Sequence, residues 1–164
     1  MSFKLNNINR KKDFGFNTEG ISREKCDFHS IYFLDNLTGS LLVSKKYSGN
    51  LNPSSNGDLI SGFLNALNLF IKEIKPGSRE DEIQEINFRE TRILYEKKGR
   101  LSVIAITKKS DLKYERLILH QIVIDFYNLF EDNLTRFNGV IEPSILNYKK
   151  KLEMLNFYNF DFDI

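Results

Sequence analysis

The sequence carries a single cysteine, Cys26, in 164 residues. One thiol cannot close an internal disulfide, which excludes a stapled secreted scaffold and points to a reduced intracellular setting. Long apolar runs are also missing. Stretches such as 103–106 and 122–124 fall far short of the roughly 20 residues that cross a bilayer, so no transmembrane helix is expected. The start, Met1, Ser2, Phe3, Lys4, holds no apolar signal core and no acylation glycine, and the end holds no cysteine to prenylate. Any membrane contact is therefore expected to be peripheral, with a cytoplasmic location and recruitment to a membrane surface as an option. Charge of one sign is lacking too: 24 Lys and Arg stand against 22 Asp and Glu, a net of +2. The lysine pairs at 45–46, 97–98 and 108–109 are interleaved with acids, which is not the basic stripe of a nucleic-acid binder.

Catalytic signatures are scarce. There are two histidines, His29 and His120, and His120 falls inside an apolar helical pattern, where a packed or surface imidazole is a commoner role than a general base. Cys26 and His29 have the spacing of half a metal site, but no second cysteine exists to complete four ligands. No phosphate-cradling glycine loop, nucleophile elbow or H-E-x-x-H motif occurs. The adjacent acids Glu80, Asp81, Glu82 and Glu131, Asp132 read as solvated ends of elements. No enzyme activity, cofactor or metal is expected.

What is present fits one domain, since typical domains run to about 150 residues. Residues 1–27 are polar, contain Gly15 and Gly20, lack periodicity, and read as a flexible arm. Ile31, Tyr32, Phe33, Leu34 and then 41–47, separated by a turn at Thr38 and Gly39, form an opening hairpin. Asp58 is placed to cap a helix over 58–75, whose Leu59, Phe63, Leu67, Phe70, Ile71 and Ile74 fall on one stripe and which Pro76 ends. Ile83, Ile86 and Phe88 mark a short strand, and 91–96 with 101–107 make a second hairpin around Gly99. The second strand of that hairpin is apolar on both faces, so it should be central, with less buried neighbours. A helix over about 114–137 is apolar nearly all round, which means deep packing or a face shown to a partner. A last helix over about 144–156 carries Ile145, Tyr148, Leu152 and Leu155 on one stripe, with Lys149, Lys150 and Lys151 as an ordinary solvated face. The tail 157–164 alternates aromatic and acidic residues; Phe157, Tyr158, Phe160 and Phe162 are costly to leave in water, so it should pack on this domain or be taken by another chain.

The segment 86–107, with Arg92, Ile93, Leu94, Tyr95 before Gly99 and Leu101, Ser102, Val103, Ile104 after it, followed by a spacer and an apolar helix, resembles the central hairpin of longin domains. The opening Ile31, Tyr32, Phe33, Leu34, Asp35 with its Thr38, Gly39 turn is similar to the longin start. The resemblance covers about residues 29–156 and rests on apolar positions and glycines. A roadblock domain would begin with a helix ahead of the first hairpin, and 1–27 shows none. No SNARE heptad repeat follows the domain. The resemblance implies an α+β, longin-like (profilin-like) α-β-α sandwich: a five-stranded antiparallel sheet with one helix on one face and two on the other, over residues 28–156.

Its functional implication is a free-standing protein-binding module or scaffold in vesicle-mediated transport or small-GTPase regulation. The partner would be a small GTPase or another longin- or roadblock-type protein, in a homo- or heterodimer, with no nucleic acid bound. The expected contact residues are Phe63, Leu67 and Phe70 on the first helix, Ile83, Ile86 and Phe88 on the neighbouring edge strand, and Phe157, Phe160 and Phe162 on the tail. Phenylalanines at the spacing of Phe63 and Phe70 more often belong to a core. The alternative is a small-ligand sensor of PAS or GAF type, which would need an internal pocket with convergent polar groups that 101–106 scarcely offers.

Overall fold

Two β-hairpins joined side by side set the architecture. The computed structural model describes residues 27–47, 57–74 and 83–154. In chain order these form β1 (Asp27–Asp35), β2 (Leu41–Lys46), α1 (Gly57–Ile74), β3 (Glu85–Asn87), β4 (Thr91–Lys98), β5 (Leu101–Lys108), α2 (Leu112–Thr135) and α3 (Pro143–Met154). The strands make one five-stranded sheet in the order β2-β1-β5-β4-β3, every pairing antiparallel. Cys26, the arm before it and the tail from residue 155 lie outside the described residues, as do Pro76 and the acids at 80–82.

Alternation along the strands sorts their side chains between two layers. Ile31, Phe33, Val103 and Ala105 face α2 and α3 in the larger core, while Tyr32, Leu34, Tyr95 and Ile104 face the other way in a smaller one. The pairing steps from Phe28 opposite Thr107 to Ser30 opposite Ile106, a bulge at His29 that turns Phe28 to the same side as Ile31 and Phe33. A second irregularity, between Phe33 and Leu34, puts Leu42 and Val43 both into the larger core and leaves Leu41 against the smaller one. Of the described α1 side chains, Leu67 packs on the smaller core, so α1 covers one face and α2 with α3 the other. This is the α+β arrangement that the longin resemblance implies.

β5 is central as the sequence predicts, but its neighbours are not both less buried. β1 is as enclosed as β5, with Phe28 and 30–35 all buried, because it too lies inside the sheet between β2 and β5. The apolar α2 takes the deep-packing option: Phe126 stacks on Phe33 (4.6 Å between ring centroids), Phe130 (4.8 Å) and Tyr148 of α3 (4.9 Å). The helix starts earlier than its apolar pattern does, because the Asp111 side chain accepts from the Tyr114 N–H (3.0 Å) and caps it. Asp58 does not precede its helix; α1 already begins at Gly57.

The β4–β5 connection pairs Lys98 with Leu101 across Gly99 and Arg100. Gly99 has φ +57° and no described non-glycine residue, Arg100 included, has positive φ, the sign pattern of a II′ hairpin turn. A Cβ at Gly99 would also meet the Tyr127 ring at 3.0 Å. Gly99→Ala should therefore cost about 1–2 kcal/mol of stability, read as a lower denaturation midpoint at unchanged slope.

Candidate functional site

An amphipathic helix normally turns its apolar stripe to the core. In α1 the stripe behaves otherwise. Leu59, Phe63, Phe70 and Ile74 recur at steps of four, seven and four residues and are all exposed, Phe63 by 55% and Phe70 by 61%, with Leu69 exposed as well. Among the described α1 side chains, Leu67 on the same stripe reaches the sheet. Among the described residues the smaller core holds Tyr32, Leu34, Tyr95 and Ile104, with Leu67 packed against it. Grouped exposed apolar side chains of this kind are uncommon on a protein surface.

The expected contact residues thus divide. Phe63 and Phe70 stand in the open; Leu67 is half-buried under α1, and Ile86 packs on the same smaller core. Ile83 is half-buried ahead of β3, and Phe88 is exposed by 53% just past its end. Phe157, Phe160 and Phe162 lie outside the described residues. The helix and the edge strand share a face without adjoining. α1 contacts β2, whereas β3 is the opposite edge of the sheet, four strand spacings or roughly 19 Å away.

At the β3 edge the polar groups are engaged with one another. Arg116 binds Glu85 Oε2 (2.8 Å), the Asn87 amide donates to Glu85 Oε1 (2.9 Å), and Arg92 Nε donates to Asn87 Oδ1 (3.1 Å). The Asn87 amide first, then Arg116, hold the Glu85 carboxyl below its ordinary range. Arg92 continues inward to the fully buried Glu115 (2.5 Å), whose other oxygen accepts from the Ser110 N–H (2.8 Å) and hydroxyl (3.1 Å). This chain of bonds fastens the β3–β4 edge to the start of α2.

Two further groups went unremarked in the sequence. Asp35 is fully buried; its carboxylate takes Arg100 Nε (2.5 Å) and Nη2 (3.2 Å) together with the Thr38 N–H (2.9 Å) and hydroxyl (2.6 Å). Burial works to raise this carboxyl, yet Arg100 and Thr38 together keep it below its usual value. Arg100 also donates to the Phe137 carbonyl (3.1 Å), so one guanidinium ties both hairpin turns to the end of α2. Both carboxylates thus tie separate elements together, Asp35 the two hairpin turns and Glu115 the β4 edge to the start of α2.

His120 lies exposed on α2 beside Glu96 (2.5 Å). Among the described residues no group of three or more His, Cys, Asp or Glu could hold a metal ion, and no helix is long and apolar enough to cross a membrane.

Fold and site together give, among the described residues, an α+β sheet domain with several exposed apolar side chains on one helix. No protein-family model matches the chain, and neither does any curated protein. Solved structures similar to it include Myxococcus xanthus MglB, at 18% identity over 76% of this chain and 90% of that chain, with a TM-score of 0.48. A Roadblock/LC7 domain from Streptomyces avermitilis is similar at 14% identity over 62% of this chain and 87% of that one, with a TM-score of 0.45.

Proposed function

We propose that this chain is a non-catalytic protein-binding module of the longin type, which recognises a small GTPase or another longin- or roadblock-type chain in membrane traffic. The exposed stripe of α1 carries the reading. Leu59 with Phe63 and Phe70 with Ile74 offer two i, i+4 pairs of large side chains, two turns apart, that a partner groove or helix can bury without any chemistry. Aromatic anchors at the centre of such a row supply most of the binding free energy in protein interfaces. β3 presents a second, shorter opportunity: a strand edge that in the described residues pairs with β4 alone.

The test is retention by the immobilised protein of members of a panel of small GTPases, in both nucleotide states, and of longin and roadblock chains. One of them should be held, and Phe63→Glu with Phe70→Glu should weaken it at least tenfold while leaving the thermal midpoint unchanged. If no member of the panel is held, or if the double variant binds as well as the parent, the reading fails.

A further inference from the structure

The two ends of the sheet differ in charge. One end is closed by Asp27, Lys46, Thr91 and Lys108, since Lys46 lies opposite Ser30, and Lys108 lies opposite both Asp27 and Thr91. The β3–β4 turn belongs to the same end: the Phe88 N–H donates to the Thr91 carbonyl (2.8 Å), and the Glu90 carbonyl accepts from the Lys109 N–H (2.9 Å). Lys113 follows in the first turn of α2. Arg89, Lys108 and Lys113 are exposed and Lys109 is half-buried. Their neighbours Arg92 and Arg116 are neutralised by Glu115 and Glu85, whereas these four cations enter no ion pair among the described residues. The acids of this end are Asp27, Glu90 and Asp111, and the Asp111 carboxylate is engaged by the Tyr114 N–H (3.0 Å). With Lys46 the basic residues outnumber them. At the opposite end Lys97, Lys98 and Arg136 are matched in number by Glu131, Asp132 and Glu142.

An aromatic ring stands among these cations. Phe88 is 53% exposed in the β3–β4 turn and belongs to neither core. We infer that this end of the sheet docks on an anionic lipid bilayer, Phe88 entering the headgroup layer while Arg89, Lys108, Lys109 and Lys113 meet the charged headgroups. Large apolar rings favour that interface, and long basic side chains reach from it to the lipid charges. Protein interfaces have the opposite composition: they are poor in lysine and gather several large side chains, as the α1 stripe does. A single turn also lacks the extended basic stripe that follows a nucleic-acid backbone.

Each cation near an anionic leaflet is worth roughly fivefold in partitioning, so the binding should weaken as salt is raised. The opposite end of the eight-residue β5 is about 26 Å away, well beyond the roughly 8–10 Å over which salt lets charges act. The α1 stripe takes no part, so membrane docking and partner recognition can fail separately.

Co-sedimentation of the full chain with vesicles tests the inference. The chain should bind vesicles of equal parts phosphatidylserine and phosphatidylcholine, and bind phosphatidylcholine alone at least about tenfold more weakly. Arg89→Glu with Lys113→Glu should weaken binding to the anionic vesicles by about tenfold or more. Lys98→Glu with Arg136→Glu makes the same charge change at the opposite end and should weaken it by less than about threefold. The chain contains no tryptophan, so Phe88→Trp supplies a single reporter, whose emission should shift to the blue on the anionic vesicles. Absence of binding, equal losses in the two charge variants, or an unshifted emission overturns the inference. Should the Arg89→Glu, Lys113→Glu variant unfold, shown by circular dichroism, the Phe88→Trp emission decides alone.

Discussion

Replacing Arg100 by methionine is expected to destabilise the domain by about 3 kcal/mol, near the lower end for breaking a buried ion pair because the guanidinium is partly exposed. The cost comes from what is left behind. Asp35 is fully buried, and without Arg100 its carboxylate keeps only the Thr38 N–H and hydroxyl. The carbonyl of Phe137 loses its donor as well, so the end of α2 loosens from the hairpin turns. The pH dependence gives the sign. In the parent the Asp35 carboxyl is held below its ordinary value, so it binds fewer protons folded than unfolded, and its contribution is present above about pH 4 and lost as pH falls through the folded value. Arg100 stabilises only the charged carboxylate. The difference between parent and Arg100→Met should therefore shrink as the pH is lowered from 7 to 3, measured by denaturant unfolding at each pH. A constant difference would mean that Arg100 acts through packing on the Phe137 ring, 5.7 Å from its guanidinium carbon, rather than through charge.

How much of this could be read beforehand depends on whether the cause is local. The strands around Gly99 were legible because a glycine between two β-rich runs is a signal contained in a few residues, and the turn at Thr38 and Gly39 was legible for the same reason. The apolar density of 101–106 likewise announces a central strand. The Asp35 and Arg100 pair was not legible, since the two residues are 65 apart in sequence and meet only because β1 and β5 are neighbours. The burial of β1 follows from strand order, which periodicity does not encode. The α1 stripe is the most instructive miss. Its spacing gives a helix with one apolar side, which the structure confirms, but the spacing is silent on whether that side finds a core. Here Leu67 packs on the sheet while Leu59, Phe63, Phe70 and Ile74 of the same apolar side are exposed, so periodicity alone does not say which of its positions are core.

Two phenylalanines separate those roles experimentally. Phe126 is fully buried, in ring contact with Phe33, Phe130 and Tyr148, and joins β1, α2 and α3 at one point. Phe126→Ala removes both the transfer free energy of the ring and the contacts of its neighbours around the cavity, and should cost about 3–5 kcal/mol. At roughly 2–4 °C per kcal/mol for a chain of this size, the thermal midpoint falls by about 10 °C. Phe63→Ala removes the same atoms from a site already in solvent and should change stability by no more than about 0.5 kcal/mol. In binding the ranking inverts: at a temperature where both variants are folded, Phe126→Ala should hold a partner as the parent does, and Phe63→Ala should lose it. Equal thermal losses for the two would place Phe63 in a core and remove the ground for reading α1 as a contact surface. Opposite responses would assign stability to the α2 and α3 face of the sheet and recognition to the α1 face, the one face carrying two helices and the other a single helix.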